Sequence, residues 1–281
     1  WISERVPRPT VKEVLAGALR EPIKDFGPNH VFWYPEKGGI ESLPKGFEPH
    51  INGEVNLNTT VVSIDPVNKK VTTVNGNGRA QSMDYKVLVT TLPLPALLKL
   101  MDPIPEGDWP SMDDLKYNVV HTVNIGIRGP DLPPYHWIYY PTEETLFHRL
   151  SFPHLFSDWM VPEGCQSIMC EISESGYRPR NREELLETCI ADLKKVDILG
   201  PDHEILHKSI MTLDPAYIIY DLEHRETVDR LHRACHSVGI YPCGRFGDWE
   251  YLNMDHSIMS GKRIADAIAT RTRPEQLKTT T

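Results

Sequence analysis

An arginine set between two glycines, with aromatic and polar residues behind it, is the first place in this sequence where chemistry could be done. The stretch GRFGDWEYLNMDHSIMSG, 244–261, places Arg245 between Gly244 and Gly247 after a short apolar strand, 239–243. It then runs through Trp249, Tyr251, Asn253 and Met254 to a helix starting near Asp255. A helix N-terminus offers unpaired N–H groups and a partial positive charge, which suit a phosphate or an electron-rich ligand edge. Glycines permit close backbone approach there. On spacing alone, a plain strand, turn and helix with Asp255 as its cap fits these residues equally well.

Other chemistries find little support. The twelve histidines show no metal-ligand spacing, and Cys165 and Cys170 lack a second pair, so no metal site is expected. There is no nucleophile elbow, P-loop or Ser-His-Asp set. Trp137 and Tyr139 alternate on one strand face and Arg149 lies in another strand. Taken singly, such residues are packing or surface positions.

The elements that must position these residues follow from composition and periodicity. A chain of 281 residues, 40% hydrophobic and 25% charged, can build one large domain or two ordinary ones. A net charge of -9 argues against a general nucleic-acid binder. No apolar run approaches the ~18 residues a bilayer requires, and five unpaired cysteines read as reduced thiols of a cytoplasmic protein. Val11, Val14, Leu15 and Leu19 predict a helix over 11–20, and FGPNHVFWYPEKGG, 26–39, a turn, a short aromatic strand and a second turn. VNLNTTVVSID, KKVTTV and YKVLVTTLP read as strands. The last is apolar throughout, the pattern of a strand buried on both faces, and its end at 90–93 would sit where α/β sheets bind ligands.

From about 117 to 175 the pieces NVVHTVNIGIRG, YHWIYYP, LFHRLSF and QSIMCEIS predict an antiparallel sheet. An Asn-capped helix follows over 181–196, then a strand and irregular run over 203–220, and a helix over 225–237. IYPCGRFG reads as a strand ending in a turn, and 256–270 as the last helix. The chain leaves one domain and comes back to it. It also opens on Trp1, without an initiator Met, and is expected to be the C-terminal part of a longer protein.

The 244–261 segment resembles the C-terminal flavin-binding signature of FAD enzymes related to amine oxidases, and most closely the UDP-galactopyranose mutases of the eukaryotic type. That resemblance implies cofactor contacts from Gly244, Arg245, Asn253, Met254, Asp255 and Ser257, with Tyr251 facing substrate. WISERVPRPTVK is similar to a family segment whose arginine reaches the substrate diphosphate, which implies that role for Arg5. FGPNHVFWYPEKGG resembles a stretch that carries Asn29 into the sugar pocket and Gly38 and Gly39 beside the flavin. TTVVSIDPVNKKV is similar to the strand whose backbone meets the adenine, at Val61. HWIYYPTEETLFHRLSF implies that Trp137, Tyr139 and Arg149 face substrate, and DPAYIIYDLEHRETV that Tyr217 binds the diphosphate.

The fold so implied is mixed α/β, the C-terminal part of a two-domain FAD-binding fold. Residues 1–35 would belong to a helical substrate region, 36–100 to the FAD domain, 101–237 to a substrate domain with an antiparallel sheet, and 238–281 to the FAD-domain return and tail. The implied activity is the interconversion of pyranose and furanose forms of a nucleotide sugar on reduced FAD, with NAD(P)H as a candidate reductant. Arg5 and Arg149 would act by keeping the leaving diphosphate close. The partners implied are a nucleotide-sugar substrate and the upstream GxGxxG segment that binds the FAD pyrophosphate, which this chain lacks. Neither nucleic acid nor membrane is implied, and oligomeric state is left open. Two other readings stay open: an FAD-dependent oxidoreductase of the amine oxidase or protoporphyrinogen oxidase kind, and a non-catalytic fragment or half of a split flavoenzyme.

Overall fold

Alternation of apolar and polar residues in four strand-like segments, joined by a fifth strand later in the chain, builds the largest element of the structure, a five-stranded antiparallel sheet. The computed structural model describes residues 10–19 and 32–272, so Arg5 and Asn29 lie outside the described residues. The sheet runs in the order β6-β7-β8-β5-β9, with β5 at Tyr117–Arg128, β6 at Trp137–Tyr139, β7 at Arg149–Ser151, β8 at Gln166–Glu174 and β9 at Glu204–Ile218. Val123, Ile125 and Ile127 of β5, Leu150 of β7, and Ile168, Cys170 and Ile172 of β8 share one core. Helix α4, Leu185–Lys195, covers that face with Leu185, Cys189, Ile190 and Leu193. Because strand side chains alternate, the intervening residues must point to the opposite face.

A second core joins the remaining elements. The three-stranded antiparallel sheet of β1 (Thr59–Asp65), β2 (Lys70–Asn75) and β3 (Ala80–Asp84) contributes Ile64 and Val71. Helix α3, Leu94–Leu100, adds Leu94, Leu97 and Leu98, and helix α5, His224–Ser237, adds Val228, Leu231 and Cys235. Strand β4, Leu88–Thr90, pairs in parallel with β10, Ile240–Pro242, so the chain comes back after residue 239 to lie beside its own residue 88. A tight helical turn, α6 at Gly244–Gly247, follows β10, and helix α7, Met254–Thr270, ends the described structure. Two further helices precede these elements, α1 at Val11–Ala18 and the short α2 at Ser42–Lys45. No helix among the described residues is long and apolar enough to cross a membrane.

Several local expectations are corrected. Residues 32–37 form no strand, although Phe32 packs against His136, Trp137 and Phe156. Strand β4 is three residues long rather than nine, and Val89 is 47% exposed. A parallel strand is buried on both faces only when layers cover both, and a two-stranded pair provides no such cover. Helix α4 begins at Leu185 because Asn181 accepts the Glu183 N–H in a turn before it, not at the helix start. Where a strand and an irregular run are expected over 203–220, one strand, β9, runs from Glu204 to Ile218, its pairing with β5 shifting register at two points.

Candidate functional site

The face of the five-stranded sheet away from α4 carries a polar row. Strand register places Tyr139 beside Arg149, Arg149 beside Glu171, Glu171 beside Thr122 and Thr122 beside Met211, one residue from each strand. Trp137 lies one step along, beside Ser151. Arg149 donates from Nε and Nη2 to Glu171 Oε1, at 2.7 and 2.5 Å, and lies 5.8 Å from the Tyr139 ring centroid. Glu171 is only 4% exposed. Burial by itself would lower the Arg149 pKa, but the Glu171 carboxylate and a Tyr139 hydrogen bond reverse this and hold it above its ordinary value.

Next to this row the end of β9 and the 244–253 loop bring two tyrosines and a second arginine together. Tyr217 and Tyr251 stack with centroids 5.7 Å apart and planes 16° from parallel. Arg245 lies over both rings, 5.2 Å from Tyr217 and 4.5 Å from Tyr251. Its terminal nitrogens donate to the carbonyls of Ala216 and Leu252, each at 3.1 Å. Burial pushes the Tyr217 phenol pKa up, and the nearby Arg149 only partly opposes this. The phenol is therefore a neutral donor at ordinary pH. Tyr251 is held from behind, its N–H donating to Tyr220 Oη at 2.6 Å.

The C-terminal ends of β4 and β10 meet beneath this loop. Cys243 N–H donates to Thr90 O, and Gly247 packs so closely that a Cβ there would lie 3.2 Å from the Thr90 oxygen and the Pro242 carbonyl carbon. Gly244 adopts φ +75, a conformation that favours glycine, and its N–H is taken by the buried Ser260 hydroxyl at 2.9 Å. Asp248, 7% exposed, accepts from Arg263 and ties α6 to α7. Trp249 is fully buried, its ring edge-to-face with Tyr117, so this tryptophan of the motif is a plug rather than a ligand contact. At the start of α7, Asn253 makes no side-chain cap, and Asn253, Met254 and Asp255 are exposed. Ser257 is turned back on the helix, its hydroxyl donating to Asn253 O.

The structure thus groups Tyr139, Arg149, Tyr217, Tyr251 and Arg245, with Trp137 one step away. Val61 sits at a bulge in β1, paired with Thr73 in the three-stranded sheet. Gly38 and Gly39 form a positive-φ turn in a loop held to the 157–160 segment, where Ser157 donates to Glu36 O and Tyr34 contacts Met160. Glu171 was not anticipated. Its signal is nevertheless present in QSIMCEIS, a lone carboxylate out of phase with the apolar Ile168, Cys170 and Ile172. Among the described residues, no three His, Cys, Asp or Glu side chains are grouped as a metal ion would need.

Comparison with known proteins bears on the family and the fold. The sequence model of the family described as flavin containing amine oxidoreductase matches residues 10–269. A solved structure of a reduced UDP-galactopyranose mutase is 26% identical with a TM-score of 0.83, covering 97% of this chain and 59% of that one. A protein assigned as a protoporphyrinogen oxidase from Exiguobacterium is 18% identical with a TM-score of 0.65, over 83% of this chain and 51% of that one. The CLA-producing fatty acid isomerase of P. acnes is 14% identical with a TM-score of 0.58, over 83% and 52%. The latter two likenesses bear on the fold alone. The chain spans little more than half the length of each of these proteins.

The residues present fit one part of a flavin. The uncapped, exposed start of α7 leaves first-turn N–H groups that would suit an electron-rich edge of such a group, and the preceding Gly244–Gly247 turn is close-packed against Thr90 and Pro242. No glycine-rich strand-to-helix loop for the pyrophosphate occurs among the described residues.

Proposed function

Because the chain belongs to the flavin containing amine oxidoreductase family, we propose that it is the C-terminal part of an FAD-dependent mutase of the eukaryotic UDP-galactopyranose mutase kind. The complete protein would interconvert the pyranose and furanose forms of a nucleotide sugar. One observation supports this reading above the others: two arginines and three tyrosines lie around one end of a sheet face, with an ionised pair as its floor. A doubly charged diphosphate is matched by guanidinium and phenol donors, whereas an apolar oxidase substrate would offer no acceptor to the Arg149 donors that Glu171 does not use.

When bound, the reduced flavin supplies the electron pair that ring interconversion requires at the anomeric carbon. The chain's own residues bind and hold. Arg149 spends Nε and one Nη2 proton on Glu171 and keeps Nη1 for a phosphate oxygen. Tyr217 and Tyr251 donate phenolic protons to the diphosphate, and Arg245 fixes their rings. Trp137 and Tyr139 flank the sugar nucleotide. Gly244, Arg245, Asn253, Met254, Asp255 and Ser257 form the flavin-facing wall, and Arg5 and Asn29 supply a second guanidinium and a sugar contact. Holding the departed nucleoside diphosphate within reach converts recombination into an effectively unimolecular step.

The test is titration of the full-length, flavin-loaded protein, reduced by dithionite or NAD(P)H, with UDP and UDP-galactopyranose. Binding of UDP and appearance of a furanose product are expected. A protein that ignores UDP but consumes oxygen with an amine or porphyrinogen substrate is instead an oxidoreductase.

A further inference from the structure

Strand β9 reaches Tyr217 across a break in its pairing. Asn118 faces Tyr217 and Val120 faces Leu213, so Asp214, Pro215 and Ala216 bulge out opposite Val119 alone. The bulge frees the Ala216 carbonyl, which receives Arg245 Nη2. It also removes the regular ladder at the point where Tyr217 must be aimed, and Pro215 has no N–H with which to restore it.

A single side chain bridges the break. Asn118 Oδ1 accepts the Tyr217 N–H at 2.9 Å, while its Nδ2 donates to Ser173 Oγ on β8 at 2.8 Å. A carboxamide accepts at one end and donates at the other, so Asn118 ties three strands together through one group. The tyrosine so fixed stacks on Tyr251 and lies under Arg245.

We propose that Asn118 is a positioning residue for the anion site: it clamps the β9 bulge so that Tyr217, and through it Arg245 and Tyr251, are held in place for a nucleoside diphosphate. The ligand part of this proposal rests on the mutase reading; the clamp itself does not. In Asn118→Ala the Tyr217 N–H loses its partner. UDP binding to the full-length flavin-loaded protein should weaken about five- to tenfold, as expected for one hydrogen bond.

The experiment has two arms. Hydrogen exchange of the 213–218 peptide reads the clamp without any ligand, and Asn118→Ala should lose protection at Tyr217. UDP titration of Asn118→Ala, Tyr217→Ala and the double variant reads its consequence, since alanine removes the ring along with the hydroxyl. If Asn118 acts through Tyr217, the double variant binds UDP no worse than the weaker single one. Unchanged exchange at Tyr217, or losses that simply add, overturns the proposal. Wild-type protein that does not bind UDP overturns the mutase reading, while the exchange arm still decides the clamp. Should Asn118→Ala fail to fold, Ser173→Ala removes only the far anchor and is read in the same two arms, with a smaller loss expected.

Discussion

Replacing Arg149 by Met should damage the protein in a way that a second substitution repairs. Glu171 has a side chain 6% exposed, and Arg149, its ion-pair partner, one 28% exposed. Removing one partner of a fully buried pair costs about 3–5 kcal/mol, since it strands the other charge. Arg149 is partly open to water, so about 2–3 kcal/mol is the appropriate range here. Arg149→Met should therefore be less stable than Arg149→Met/Glu171→Gln at pH 8 by about that amount, because the glutamine carries no charge to strand. Urea melts of both variants at pH 8 are the assay. Both variants should also lose UDP affinity alike, because neither retains the guanidinium. An absent gap refutes the assignment of Glu171 as a buried charge neutralised by Arg149.

Gly244→Ala forces an L side chain to φ +75. It should cost about 1–2 kcal/mol and lower the flavin content of purified full-length protein, read from thermal melts and absorbance. Glu174 is held below the ordinary carboxylate range by hydrogen bonds from Arg182 first and His121 second. Its contribution is present above the unfolded pKa and disappears as pH falls through the lowered folded value, so Glu174→Gln should flatten the acid limb of a stability–pH curve. In the isolated 281-residue chain, the β4–β10 pair should exchange its amide hydrogens faster than β5 and β8. A two-stranded parallel pair with an exposed Val89 lacks the layers that protect such strands.

The elements that could be read from sequence are those whose periodicity answers to one buried face. Strands β5 and β8 alternate cleanly because α4 covers one side and the site lies on the other. Helix α5 carries apolar residues at helical spacing against a single core. The misreadings occur where local pattern and environment part. YKVLVTTLP has the composition of a doubly covered strand, yet only Leu88–Thr90 pair and Val89 is exposed. In α1 the apolar positions Val11, Val14 and Leu15 predict a helix correctly, but those side chains are exposed in the structure. Periodicity specifies which face is apolar, not what lies against it.

The site follows the same division. Arg245, Tyr251 and the α7 start are contiguous, so a short motif is enough to single them out. Arg149, Tyr139 and Glu171 come from three strands and meet only through register, where a slip of one residue in any one strand would turn its own member toward α4. Register is set by the apolar positions on the opposite face: Leu150, Cys170 and Ile138 pack against the α4 core, and this leaves Arg149, Glu171 and Tyr139 no direction but the site. Asn118 is harder still to find, because its importance comes from a bulge that no alternation pattern reveals. The polar half of the sheet is thus aligned by its apolar half. A core substitution that slipped β7 by one residue would abolish the site without touching any residue in it.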